Sequence, residues 1–93
     1  MTQINNEFPW IVDPGHEYLR VPRQLVINLG IADKISQCSF QSRDRFYAYL
    51  EGDCDAHVFY TAFKEKYGEP VFQFPPSLDS QDWRATVEPI VLR

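Results

Sequence analysis

Arg45-Phe46-Tyr47-Ala48-Tyr49-Leu50-Glu51 is followed at once by Gly52-Asp53-Cys54-Asp55 and an amphipathic stretch that runs to Tyr67. The first seven residues alternate: Phe46, Ala48 and Leu50 share one face of a strand, and Tyr47 and Tyr49 share the other. The Gly-Asp cluster marks a strand-to-helix junction, with Asp53 or Asp55 as N-cap. A carboxylate there accepts a bond from open helix amides and complements the dipole. The spacing of Ala56, Phe59, Tyr60, Phe63 and Tyr67 predicts one apolar helical stripe over 55–67, closed by Gly68.

Working outward from this unit, a second arm is expected at Ser36–Phe40. A turn at Gln41-Ser42-Arg43-Asp44 would join it to the Arg45–Glu51 strand. Upstream, Phe8–Asp13 and Glu17–Val21 read as another hairpin across Pro14-Gly15, where Pro presets φ and Gly accepts a positive value. Pro22 ends that strand and opens a short helix through Leu25, Val26 and Leu29, stopped by Gly30. Downstream, Glu69–Phe74 is expected as an edge strand, and Ser80–Arg84 as a helical turn before the apolar tail Ile90-Val91-Leu92. The fold class is therefore α+β: an antiparallel sheet of four to five strands built from two hairpins, packed by one short and one long helix. Residues 1–7 read as a flexible tail and 8–93 as a single domain, with a core over 8–68 and an extension over 69–93.

At 93 residues and 44% apolar composition, the chain can bury a core without disulfide or metal support. Its net charge of −4 argues against direct nucleic-acid or membrane binding, because both rest on clustered Lys and Arg. No signal peptide and no run long enough to cross a bilayer is read, which places the chain in the cytoplasm with Cys38 and Cys54 as reduced thiols.

Candidate chemistry is sparse. His16, Cys38, Cys54 and His57 lack the spacing of a structural zinc site, so no metal is expected. Cys54 at a helix start would gain thiolate character, but Asp53 and Asp55 on either side oppose it. No catalytic residue, enzymatic activity or cofactor is assigned. What stands out is aromatic surplus: seven Phe, five Tyr and two Trp exceed what one face of a small sheet needs. Tyr47 and Tyr49, beside Tyr18, point away from the helices. A C-terminal segment carrying Phe72, Phe74 and Trp83 either folds over them, the favoured outcome, or leaves them as a binding patch.

The segments Asp13–Pro22, Leu29–Ser36 and Tyr49–Ala56 follow the order Asp-x-Gly-His-x-Tyr-Leu-x-Val-Pro, Leu-Gly-Ile with Lys-Ile-Ser, and Tyr-Leu-Glu-x-Asp-Cys-Asp-Ala. In this the chain resembles a domain-of-unknown-function family of small phage, prophage and plasmid proteins. Gly52 stands where that pattern expects Glu. The resemblance implies a mobile-element origin and nothing about catalysis. From it follows the expectation of an accessory inhibitor that sterically blocks a host defence complex of the CRISPR–Cas or restriction type. Tyr18, Tyr47 and Tyr49 would be its anchors, with Glu51, Asp53 and Asp55 meeting basic residues of the host protein or nucleoprotein. The alternative is a nucleic-acid-binding module that uses the tyrosine face with Arg20, Arg43 and Arg45.

Overall fold

The chain was analysed as a computed structural model that describes residues 6–13, 16–73 and 87–92. Its elements in chain order are β1 (Glu7–Asp13), β2 (His16–Pro22), α1 (Arg23–Asn28), a 3-10 turn at Ala32–Lys34, β3 (Phe40–Ser42), β4 (Tyr47–Glu51), α2 (Asp55–Tyr67), β5 (Val71–Gln73) and β6 (Val87–Pro89). The α+β class holds. The sheet, however, has six strands in the order β5-β1-β2-β4-β3-β6, and the β1–β5 pair is parallel, so the expected purely antiparallel sheet of four to five strands is corrected. β5 is the edge strand expected within Glu69–Phe74, shorter and parallel to β1, and β6 at the other edge is the addition; each has three residues. Segments that short carry almost no period, and their pairing is set by neighbours distant in sequence. The expected helical turn at Ser80–Arg84 lies outside the described residues.

The first hairpin and both helices form where the local chemistry directs. Ile11 faces Tyr18 and Trp10 faces Leu19 across β1 and β2. Pro22 closes β2 with φ −60° and stands as N-cap of α1, where a missing N–H leaves nothing unsatisfied. Gly68, at φ +97°, takes the left-handed conformation that ends α2, and its amide donates to the Lys64 carbonyl at 3.0 Å.

The second hairpin is shifted from its expected place. Residues 36–39 do not form a strand, because Ser36 and Ser39 donate to Asp55 instead of joining the ladder. Pairing starts four residues later than expected and runs two residues further, with Phe40 opposite Tyr49 and Gln41 opposite Ala48. The turn therefore moves to Arg43–Phe46. Phe46, expected inward, leaves the strand and stands 58% exposed.

One face of the sheet supplies Phe8, Leu19, Val21, Ala48 and Leu50; the helices lay Val26, Ala56, Phe59 and Phe63 on it. Phe8 meets Phe59 and Phe63 edge-on at centroid distances of 5.2 and 5.3 Å, the favoured geometry for aromatic quadrupoles. Tyr60 and Tyr67 sit at the margin of the stripe. Tyr60 donates its hydroxyl to Glu69 at 3.0 Å, and Lys64 pairs with the same carboxylate at 2.9 Å. Phe72 packs against Trp10 and Tyr60, so it serves the helical side and not the tyrosine face it was expected to cover.

Phe59→Ala is expected to lower unfolding free energy by about 3–5 kcal/mol, since a fully buried ring leaves a cavity that its neighbours only partly fill. Urea denaturation checks this; a loss under about 1 kcal/mol contradicts the packing described.

Candidate functional site

The opposite sheet face carries a second apolar cluster of Ile11, Tyr18, Tyr49 and Val87, with Phe40 and Tyr47 packed beside it. Tyr18 is only 3% exposed and Tyr49 only 7%. The tyrosine face is therefore covered, the outcome favoured from the sequence, and the anchors Tyr18 and Tyr49 are corrected to core residues of a second layer. Tyr18 and Phe40 pack edge-on at 5.8 Å. Burial pushes the Tyr49 phenol above its ordinary pKa, and the Arg20 guanidinium beside it pulls part of the way back. Tyr47 is half-buried: the Arg20 guanidinium lies over its ring at 4.7 Å, and Phe46 meets it edge-on at 4.6 Å.

Of the three acids, Asp55 is 2% exposed and is withdrawn from the surface. It opens α2 as its first residue, and Cys54 occupies the cap position with no side-chain bond to the helix, so neither Asp53 nor Asp55 is the N-cap. The Asp55 carboxylate turns from its own helix to the neighbouring loop. There it accepts from the Ser36 amide at 3.0 Å, from the Ser36 hydroxyl at 2.8 Å and from the Ser39 hydroxyl. Ser39 in turn accepts the Glu51 amide at 3.0 Å, which closes a chain from α2 through the loop to β4. A buried carboxylate with this many donors is structurally satisfied.

Glu51 and Asp53 remain at the surface, half-buried and exposed respectively, with the Asp53 amide donating to the Glu51 carboxylate at 2.9 Å. Gly52 donates its amide to the Glu17 carbonyl at 2.8 Å. A Cβ at position 52 would come within 3.1 Å of that carbonyl, which favours glycine where the resembled pattern carries a longer side chain. Cys38, Cys54 and His57 are exposed. Desolvation, then the negative Glu51 and the neighbouring Cys38, push the Cys54 thiol upward, away from nucleophilic character. Among the described residues, no three His, Cys, Asp or Glu side chains converge as a metal set, and no helix is long and apolar enough to cross a membrane. Among the described residues, an open cleft of about 550 Å³ between the 3-10 turn and residues 90–92 has Asp33 as its titratable side chain.

The β3–β4 tip combines exposure with order: Arg43, Asp44, Arg45 and Phe46 are all exposed, Phe46 by 58%. Asp44 and Ser42 hold it. The Phe46 amide donates to the Asp44 carboxylate at 2.9 Å and to the Ser42 hydroxyl at 3.1 Å; the Tyr47 amide donates to the same hydroxyl at 3.0 Å. The Arg45 amide closes the turn on the Ser42 carbonyl at 2.8 Å, and the Arg23 amide at the start of α1 donates to the Phe46 carbonyl at 2.8 Å. Bonds from Ser42 and the Phe46 amide hold the Asp44 carboxyl below the usual carboxylate range. Arg45 has φ +63°, a left-handed conformation that disfavours a residue with a Cβ. Sequence reasoning named Arg43 and Arg45 only as companions of the tyrosines and put Phe46 in the core. The Ser-x-Asp spacing at 42–44, whose hydroxyl and carboxylate capture the amides of 46 and 47, was the signal for a turn two residues later.

Arg23, Arg43 and Arg45 lie at the tip end together with the acids Asp44 and Glu88, and Arg20 leans toward it over Tyr47. Glu17, Glu51 and Asp53 lie at the other end, where Glu51 pairs with Tyr18 and Gly52 bonds Glu17. Searches with this chain against protein-family models, curated proteins and solved structures return no match.

Asp55→Ala is expected to lower stability by about 2–4 kcal/mol by leaving three donors unanswered. Asp53→Ala should stay within about 0.5 kcal/mol. Equal effects in chemical denaturation would contradict the distinction drawn between a buried tie and a surface acid.

Proposed function

We propose that this chain is a non-enzymatic binding protein of mobile-element origin that blocks a host nucleoprotein defence complex, of the CRISPR–Cas or restriction type. Its contact is the β3–β4 tip. The observation that carries this reading is an exposed Phe46 that shares with exposed Arg43 and Arg45 a turn whose backbone is held by Ser42, Asp44 and Arg23. Large rings and arginines dominate binding energy at protein surfaces, and a preorganised turn loses little entropy on docking. The resemblance of its motif order to that of small phage and plasmid proteins supports the origin.

The tyrosine-anchored version gives way, because Tyr18, Tyr49 and Asp55 offer almost no surface. Tyr47 remains as a supporting neighbour of Phe46. Glu51 and Asp53 sit at the far end of β4, where they repel polyanions and orient the approach of the tip.

The test is phage plating on hosts that carry defined CRISPR–Cas or restriction systems and express this chain. Plating on at least one such host is expected to rise toward that of defence-free cells, and Phe46→Ala is expected to abolish the rise. No rise on any host, or a rise that Phe46→Ala leaves intact, contradicts the proposal.

A further inference from the structure

The class of partner that fits the tip follows from its size, charge and rigidity, granted that the tip is a contact at all. A stable protein interface takes about 800 Å² from each partner, centred on a desolvated cluster of several large side chains. The tip offers one exposed ring on a turn of about five residues that also carries exposed Arg43 and Arg45. One aromatic platform flanked by cations is what a single unpaired nucleotide needs: a π-face for the base and positive charge for the adjoining phosphates. We propose that the β3–β4 tip binds single-stranded nucleic acid, Phe46 stacking on a base while Arg43 and Arg45 meet the phosphates on either side.

Three observations carry this inference. Phe46 has its carbonyl and amide both bonded and its ring edge-on to Tyr47 at 4.6 Å, and in that position the residue is 58% exposed. The left-handed Arg45 is a non-glycine residue in a disfavoured conformation at the point that projects the cation, and such strain gathers at recognition sites. The net charge of −4, which speaks against nucleic acid for the chain as a whole, is unevenly placed: Glu17, Glu51 and Asp53 stand at the opposite end of the sheet. Within the tip itself, Asp44 is spent on the turn's own amides, and Glu88 lies 3.9 Å from the Arg45 guanidinium. The local surplus is therefore small, which fits a short single-stranded stretch and not a duplex backbone.

Fluorescence anisotropy with fluorescein-labelled ten-nucleotide oligothymidine and oligouridine tests this and separates DNA from RNA. A hairpin duplex and a ten-residue polyglutamate peptide serve as the other probes. Binding of at least one single strand is expected, with log K falling against log salt at a slope near −1.4, about −0.7 for each of two phosphates. Phe46→Ala should weaken it roughly tenfold or more, and Phe46→Trp should restore it. Arg43→Gln and Arg45→Gln should each reduce the slope by about half. Thermal unfolding of the variants separates lost binding from lost fold.

The proposal is overturned if neither single strand binds. It is equally overturned if a folded Phe46→Ala protein binds as the wild type does, or if polyglutamate or the duplex binds as well as the single strands. A plating effect that depends on Phe46 without any oligonucleotide affinity would leave the blocking role standing and make the partner a protein. Oligonucleotide affinity without a plating effect would do the reverse.

Discussion

The structure depends on β4 being covered on both faces. Ala48 and Leu50 carry one side of the strand into the helical layer, and Tyr49 carries the other into the cluster of Ile11, Tyr18 and Val87. A strand buried twice, with β2 and β3 bonded at its two edges, has no freedom to slip, because a shift of one residue would exchange every inward and outward side chain. Both ends of the molecule inherit that rigidity. At one end Glu51 passes the chain to Asp55 and α2, and at the other Tyr47 fixes the base of the arginine-bearing turn.

Asp55 and Gln41 extend this frame with polar ties. Asp55 binds the 36–39 segment to the start of α2. Gln41, fully buried, donates to Glu88 at 2.6 Å and accepts from Arg23 and from the Val91 amide, both at 3.1 Å. β3, α1 and the chain after β6 are thus joined through one side chain. Buried polar groups that are this well paired specify a single arrangement, since no other packing satisfies them. They also hold Arg23, whose amide supports the tip.

Much of this was legible in the chain. The alternation over 47–50, the helix over 55–67 and the Pro-bounded start of α1 follow from period, caps and stops that act within a few residues. What escaped were long-range competitions. Ser36 and Ser39 read as strand residues until Asp55, far along the chain, takes their donors; that exchange moves the turn and turns Phe46 outward. The parallel pairing of β5, and β6 as a strand at all, are specified by β1 and β3 and not by their own three residues. The tyrosine face looked like a surface because alternation identifies the two sides of a strand without saying what covers each. The candidate site was accordingly displaced: its arginines were recognised, but its ring was assigned to the core.

The most direct measurement is ¹⁵N relaxation across Ser42–Glu51. If the doubly covered strand holds the tip as described, order parameters at Arg43–Phe46 match those of β4, about 0.85. Values at those four residues below about 0.6, with β4 itself rigid, would show a turn that does not inherit the order of its strand and would contradict the account.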